Sequence, residues 1–467
     1  MPPSHRFHTS RGRYRPAHRK GPSKTGAASD RSTRLPRNAA PIEVTIEKIG
    51  SRGDGVGTVQ TPHSAYQGRM VFVPHTIAGE TVLARPVSET SQGIRAELLE
   101  LLTASPDRCL PRCDVFSDCG GCQFQHLSPS AYRNWKQSYL ETLFQRNGLE
   151  TENFAPPFWA GEHERRRAKF TWRRTSEGLV LGFLARGSHY IVPVTSCIIL
   201  ESRLKDCLPR LQHWLMTHMT PAQTGHIHIN MLDDGPDIVL STDMPLSPSQ
   251  IAGLGMDAAG LSASRVSLIE QELDIPAPLY AEGRAILSSF GTDVSPPPGG
   301  FLQSCLSSEQ VMREEVENAV SEADNILDLF CGCGTFSLGL AGQGKQIKGI
   351  DSDAPSINSF IQAARHAGCG QNVSAETRNL FDTPLMADDM AGYDAVIIDP
   401  PRQGATAQIE QIMRSSIHTI AMVSCNPHSL CRDLLPLMQA GFHLRRVRMI
   451  DQFVWSTHIE TIAIVSR

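Results

Sequence analysis

Between residues 41 and 103, apolar and polar positions alternate over short stretches. Val44, Ile46 and Ile49 alternate with charged residues, and Gly53-Asp54-Gly55-Val56-Gly57 supplies turn chemistry. Met70–Val73 and Thr81–Ala84 follow, separated by the turn segment Ala78-Gly79-Glu80. Several short strands with glycine turns predict a small antiparallel barrel. Such a barrel serves RNA binding or pure scaffolding equally well. The period then changes. Tyr132, Trp135, Tyr139, Leu140 and Leu143 recur at helical spacing across residues 131–147, and Gly148 stops the helix. That aromatic stripe reads as core rather than as an RNA-stacking platform. Residues 150–293 mix strand and helix patterns without an interpretable motif apart from Cys197. Val294-Ser295-Pro296-Pro297-Pro298-Gly299-Gly300 resists both helix and sheet and marks a boundary. Beyond it, the apolar runs Asn325–Phe330, Gln346–Ile350, Ala395–Ile398 and Thr419–Val423 alternate with helix-length segments. This is the sequence of a doubly wound parallel sheet. There is no internal repeat.

At 467 residues the chain can build two or three domains. It has neither a run of transmembrane length nor a secretory signal, so a soluble, cytoplasmic protein is expected. The net charge of −4 argues against a simple polyanion binder, but its distribution is uneven. Residues 1–40 carry ten Lys and Arg against one acid (Asp30), leaving the remainder at −13. A basic arm on an acidic body suits an auxiliary contact with a nucleic-acid backbone, and a disordered solvated tail would read the same way. Scattered Pro and Gly disfavour the amphipathic helix of a transit peptide.

The strand Ile326–Phe330 runs directly into Cys331-Gly332-Cys333-Gly334-Thr335. Two glycines one residue apart let the backbone turn tightly and approach a ligand at the start of the next helix. Asp351 ends the following strand, where an acid can accept hydrogen bonds from ribose hydroxyls. The third glycine of the dinucleotide pattern is absent, its place taken by Ser337, which favours S-adenosylmethionine (SAM) over NAD. Asp399-Pro400-Pro401-Arg402 closes a later strand at the carboxyl edge of the sheet, where open α/β folds bind ligands. Ser424-Cys425-Asn426-Pro427 follows the next strand in the same way. A free thiol is usually packed in a core, but a turn before proline argues for exposure. One chemistry uses all three groups. C5 of uracil is a poor nucleophile until a thiolate adds at C6, after which a base must remove the C5 proton. Cys425, Asp399 and Glu460 (in Thr457-His458-Ile459-Glu460) are the candidate nucleophile, carboxylate and base.

The ordered set Asp-Leu-Phe-Cys-Gly-x-Gly (328–334), Asp-Pro-Pro-Arg (399–402), Ser-Cys-Asn-Pro (424–427) and Asp-x-Phe…His-x-Glu (451–460) resembles the uridine-C5 RNA methyltransferase family over residues 41–467. The resemblance implies a Rossmann-like class I SAM methyltransferase domain in an α/β chain. It also implies a TRAM-like RNA-binding barrel and a central α+β domain. By it, Gln303, Phe330, Thr335, Asp351, Asn379 and Asp399 contact SAM, Cys425 is the nucleophile and Glu460 the proton acceptor. The pattern departs at Asp351 (often Glu), Thr335 (commonly Asn), Cys305 (Asn) and Val454 (Pro), which bears on loop geometry more than on the reaction. Cys431 reads as helix packing.

Twelve cysteines in a chain of this type point to metal or catalysis more than to disulfides. Cys113, Cys119 and Cys122 lie on a glycine-rich loop, with a fourth ligand from elsewhere or from Cys109. Spacing alone leaves zinc and iron–sulfur equal. The resemblance implies a [4Fe–4S] cluster with Cys197 as the distant fourth ligand, in a structural or RNA-binding role. The expected organisation is a basic tail (1–40), a TRAM-like barrel (41–103), a cluster-bearing central domain (104–295) and a catalytic domain (296–467). The expected substrate is 23S rRNA, acted on by a monomer. A tRNA enzyme and a non-catalytic RNA-binding protein are the alternatives.

Overall fold

The computed structural model describes residues 33–36, 38–270, 275–288 and 291–467. Apart from residues 33–36 and 38–40, the expected basic tail lies outside them. The chain divides into two compact units, Met1–Pro111 with Gln123–Arg133 and Arg112–Cys122 with Asn134–Arg467. Among the described residues, no helix is long and apolar enough to cross a membrane.

In the first unit, Ile42–Ile49, Gly55–Val59, Met70–Val73, Gly93–Thr103 and Thr81–Thr90 pair in that spatial order, and the last pairs back with the first. Closure leaves no free edge among these five strands. Thr33–Arg34 adds a short outer strand against Ser88 and Glu89. The alternation seen in sequence puts Ile42, Val44 and Ile46 inside with Val71, Val73, Val82 and Ile94. A bulge between Ile46 and Lys48 then lets the strand bend. Gly57 is required where two backbones meet, because a Cβ there would lie 2.0 Å from the Thr45 carbonyl oxygen.

The second unit contains two sheets. The seven-stranded sheet runs Ile191–Pro193, Leu179–Leu184, Arg167–Arg174, Thr224–Leu232, Gly235–Thr242, Arg265–Ile269, Pro276–Ala281. One face, carrying Phe170, Trp172, Ile227, Ile229 and Leu240, packs on helices Ser202–His218 and Pro248–Asp257.

The eight-stranded sheet is built from β1 (Phe154–Trp159), β2 (Asn325–Leu329), β3 (Gln346–Asp351), β4 (Val373–Thr377), β5 (Ala395–Ile398), β6 (Thr419–Ser424), β7 (His443–Asp451) and β8 (Glu460–Ser466), in the order β4-β3-β2-β5-β6-β8-β7-β1. Helices α1 (Pro129–Arg146), α2 (Leu306–Ala319), α3 (Leu338–Gly342), α4 (Ala354–His366), α5 (Thr406–Arg414) and α6 (Pro427–Gln439) accompany it. The central strands β2, β5 and β6 are almost wholly apolar because both faces are covered, whereas the outer β4 and β7 carry polar residues. Ile326, Ile347 and Ile397 face α2, α3 and α4, whereas Leu327, Val396 and Ile420 face α1, α5 and α6.

All four strands expected for the doubly wound sheet are present. The first stops at Leu329 because Phe330 takes a left-handed backbone (φ +62°). Phe154–Trp159, read in sequence as part of a separate central segment, instead forms the edge of this sheet, parallel to β7. Its Pro156 and Pro157 hide the strand signal yet are tolerated at an edge. The order reverses between β3-β2 and β5-β6, which opens a crevice at their carboxyl ends.

One buried ion pair locks the approach to that crevice. Arg166 pairs with Glu309 of α2, both nearly inaccessible to water. Its Nε donates to the Gln303 carbonyl (3.0 Å) and its backbone N–H to that of Ser304 (2.9 Å). Removing one member of such a pair leaves an uncompensated buried charge. Glu309→Ala is therefore expected to lower stability by about 3–5 kcal/mol, read as an earlier midpoint in urea unfolding. Glu314→Ala, on the exposed side of the same helix, should stay within about 0.5 kcal/mol.

Candidate active site

The glycine turn after β2 combines three positive φ values: Phe330 (+62°), Gly332 (+53°) and Gly334 (+85°). A Cβ on Gly334 would lie 2.5 Å from the Phe360 ring, so close packing excludes a side chain there. Gly332 has nothing within 4 Å of such a position and leaves its side of the turn open to a ligand. Asp351 braces the turn, accepting from Gly332 N (2.9 Å) and Asp353 N (2.8 Å) while retaining lone pairs for further donors. Thr335 lies partly buried within the same turn. Asn379 follows β4, its Oδ1 accepting from Phe381 N at 3.1 Å. The Phe381 ring stands 5.3 Å from that of Phe330. Beneath the turn, Asp328 is fully buried, with the Ser337 side chain as its hydrogen-bonding neighbour. Burial, aided by the charges of Asp399 and Asp351, pushes it up to about 7.

The chemistry-bearing groups gather one step further along the sheet. β8 runs antiparallel to β6 with Ser424 opposite Thr461, so the next step sets Cys425 opposite Glu460. Asn426 caps α6 by accepting from His428 N (3.1 Å), and its Nδ2 donates to the Arg402 carbonyl (2.8 Å). The thiol loop is thereby tied to the Asp-Pro-Pro-Arg loop. A thiol near a helix N-terminus is normally acidified. Here burial and the charges of Glu460 and Asp399 outweigh Arg402 and the helix, and push Cys425 up to about 11.

Two amides join the two carboxyl groups. Gln452 Nε2 donates to Glu460 Oε2 and to Gln303 Oε1, both at 2.8 Å, and Gln303 Nε2 approaches Asp399 Oδ2 at 3.4 Å. Gln452 Oε1 accepts from Ser304 N (2.8 Å), which fixes the orientation of its amide. Glu460 is raised by burial and by Asp399, and Asp399 by burial and by Asp351. Arg167 sits beside Glu460 and Cys425, lowered to about 10 by burial, with its guanidinium 4.3 Å from the Phe301 ring centroid. His458 lies 3.2 Å from the Arg402 guanidinium. Burial, then Arg402, push it down to about 4, so it is neutral at pH 7. The structure thus brings together Cys425, Asp399, Glu460 and Gln303, with Phe330, Thr335, Asp351 and Asn379 along the same edge. Sequence reasoning did not single out Gln452, Arg167 or Arg402. Arg402 and Gln452 stood inside motifs already named, Gln452 at an unspecified position, whereas nothing local distinguishes Arg167.

The expected cluster ligands lie apart from this group. Cys113, Cys119, Cys122 and Cys197 are partly exposed and form no disulfide. Cys113 and Cys119 each feel the charge of Cys197, and Arg165 feels Cys197 and Cys122. Gly121 N donates to Cys119 Sγ (3.4 Å), a bond that favours a thiolate. Among the described residues, no group of three or more His, Cys, Asp or Glu is gathered tightly enough to hold a metal ion as it stands. The donor set therefore fits a thiolate-ligated centre in composition and neighbourhood, but is not assembled around one. Cys109 directs its thiol to the carbonyls of Leu127 (3.0 Å) and Gln125 (3.5 Å).

Comparison with known proteins gives a consistent picture. Residues 299–467 match the model of the tRNA (Uracil-5-)-methyltransferase family and residues 40–85 that of the TRAM domain. A protein of Caulobacter vibrioides described as an uncharacterized RNA methyltransferase is 35% identical over 442 residues, covering 91% of this chain and 100% of that one. The 23S rRNA (uracil(1939)-C(5))-methyltransferase RlmD of Chromohalobacter salexigens is 30% identical over 433 residues, covering 91% and 89%. The crystal structure of Pyrococcus abyssi tRNA (uracil-54, C5)-methyltransferase in complex with S-adenosyl-L-homocysteine superposes with a TM-score of 0.69 at 19% identity. That alignment covers 91% of this chain and 99% of the other and speaks to the fold.

The charges around Cys425 make its reactivity a direct test of the geometry. Alkylation by iodoacetamide, followed by peptide mass spectrometry, should be slow at pH 7 and rise with pH as the thiol ionises towards about 11. Above the value of about 8 to which burial and Asp399 raise Glu460, Glu460→Gln removes one adjacent negative charge, lowers the thiol pKa and should speed alkylation, for example at pH 9.

Proposed function

The chain belongs to the family of RNA uracil-C5 methyltransferases, and from that premise we propose that it forms 5-methyluridine in 23S rRNA through a covalent Cys425 adduct. The observation that carries this reading is the register that sets Cys425 opposite Glu460, with Asp399 in the same pocket.

SAM, when bound, supplies an electrophilic methyl group. The residues proposed to hold it are Gln303, Phe330, Thr335, Asp351, Asn379 and Asp399. The open side of Gly332 gives room for its backbone approach, and Asp351 keeps lone pairs for ribose hydroxyls. Phe330 and Phe381 offer an apolar surface beside it.

Cys425 as thiolate forms a bond to C6 of uracil, and the displaced electron pair moves towards C5 and O4. Asp399 accepts from the uracil N3–H while the Gln303 amide donates to O4, which orients the ring. C5, so activated by Cys425, would then take the methyl carbon of bound SAM, whose sulfur–methyl bond would break to leave S-adenosylhomocysteine. Glu460 as carboxylate takes the C5 proton, the C5–H pair restores the C5–C6 double bond, and the C6–S bond breaks to release the Cys425 thiolate. The raised pKa of Glu460 suits a base that must accept a proton near neutral pH. Arg167 and Arg402 balance the negative charge that this sequence moves through the pocket.

The preference for 23S rRNA rests on the Chromohalobacter relative, whose name specifies that substrate and whose match spans nearly the whole length of both chains. The four thiols Cys113, Cys119, Cys122 and Cys197 are proposed to hold a [4Fe–4S] cluster. Its role is structural or in RNA binding, because the methyl transfer has no redox step.

Two experiments test these readings. With RNA containing 5-fluorouridine and SAM, fluorine cannot leave as a proton, so a denaturant-stable protein–RNA adduct should form at Cys425 and be lost in Cys425→Ser. Its absence in the native enzyme would sink the covalent mechanism. For the cluster, anaerobically purified protein should contain iron and sulfide. Cys197→Ala should lose them and Cys109→Ala keep them, and the reverse pattern would move the fourth ligand to Cys109.

A further inference from the structure

Lys136 is the only lysine among the largest fully buried side chains of the described residues, and the chemistry above gives it no part. It projects from α1, between the buried Tyr132 and Leu140. An apolar residue would satisfy that position at far lower desolvation cost. Its ammonium instead contacts Asp451 Oδ1 at 2.5 Å, the His458 carbonyl at 2.8 Å and the Phe453 carbonyl at 3.2 Å. An ammonium has three donors, and here three acceptors surround it.

All three acceptors belong to one short connection. Asp451 ends β7, Glu460 begins β8, and Phe453 and His458 lie on the turn between them. Gln452, whose amide hydrogen-bonds Glu460, sits between two of the gripped residues. Trp455, at the apex of the turn, has φ +60°, a left-handed conformation that costs free energy for a large side chain. The turn has its own links, from Ser456 Oγ to the Phe453 carbonyl (2.8 Å) and from Trp455 Nε1 to Glu162 Oε1 (3.1 Å). Lys136 is the cation that draws both ends together.

We propose that Lys136 is a positioning residue that holds the turn between β7 and β8 so that Gln452 and Glu460 stay aligned on the carbon bonded to Cys425. The proposal rests on Glu460 as the base that ends the reaction. It adds that this final proton transfer, more than cofactor binding or methyl transfer, depends on a side chain from α1. Misplacement by about 1 Å of a group that acts on a fixed carbon can cost about 10²-fold in rate. Cys425 and the cofactor turn are carried by β6 and β2, and of the cofactor-side groups Gln303 is the one tied to this connection, through Gln452.

The consequence is a distinctive intermediate. When elimination slows while addition and methyl transfer continue, methylated RNA remains attached to Cys425 through its C6–S bond. The test uses the full-length enzyme, SAM and RNA with ordinary uridine, and reads denaturant-stable adduct in single turnovers. Lys136→Met alone strands the Asp451 carboxylate, so it is combined with Asp451→Asn. The double variant should accumulate adduct with elimination slowed about 10²-fold and methyl transfer little changed. Glu460→Gln should accumulate the same adduct, and Cys425→Ser none. Asp451→Asn alone, which keeps both carbonyl contacts, should give an intermediate level. A double variant that loses all steps together without adduct, while Glu460→Gln traps it, overturns the proposal. Native-like turnover of the double variant does the same. If the double variant does not fold, native-like elimination in Asp451→Asn overturns the proposal. If Glu460→Gln traps nothing, the assignment of the base fails instead.

Discussion

The antiparallel insertion of β8 between β6 and β7 is the constraint from which the rest of the site follows. A parallel sheet delivers loops to its carboxyl edge, but every such loop arrives from the same direction. β8 runs the other way, so its first residue reaches the edge that β6 reaches with its last. Glu460 thus enters the crevice on a strand rather than a loop, directly across from Cys425. Its backbone pairs with Ile450 of β7, and the ladder to β6 begins at the next residue, Thr461. Sites carried on strands keep their geometry better than sites on loops, and a base acting on one carbon needs that.

The electrostatic cost of this arrangement is high. A thiol and two carboxyl groups share a dehydrated site; burial raises the proton affinity of all three, both carboxyl groups raise that of the thiol, and Asp399 raises that of Glu460. Two devices keep the pocket workable. The paired amides of Gln303 and Gln452 give the carboxyl groups neutral donors, so that protonation states can change without orphaning a hydrogen bond. Arg167 and Arg402 supply positive charge near the nucleophile from two different elements, one from the seven-stranded sheet and one from the loop after β5.

The sheet was legible because its strands are continuously apolar and separated by helix-length segments; that pattern is local, and the four central strands came out within a residue or so. Cys425 and Asp399 were legible for a related reason, since each follows such a strand. Phe154–Trp159 was hidden by its prolines, and its partner strand is nearly three hundred residues away in sequence. Lys136 and Gln452 were invisible for a different reason. A lysine in an amphipathic helix and a glutamine after a strand look like solvated surface, and only tertiary packing converts them into buried polar contacts. Local pattern records burial by hydrophobicity, so buried polar residues are the part it misses.

Three consecutive arginines unite these levels. Side chains alternate in extended backbone, so Arg165 and Arg167 turn away from Arg166. Arg166 grips the Gln303–Ser304 backbone and Glu309. Arg167 lies against Glu460 and Cys425, and Arg165 against Cys122, Cys197 and Cys305. One short stretch of chain therefore grips the cofactor-side glutamine and sets positive charge toward both the cysteine set and the nucleophile. Its backbone is stiffened at both ends, by the strand Arg167–Arg174 and by bridges from Arg165 to Leu200 and Cys305. The charges of Cys122 and Cys197 thus act on Arg165, one residue along the chain from the arginine that grips Gln303 and two from the one beside Glu460, although none of the thiols at 113, 119, 122 and 197 stands at the site itself.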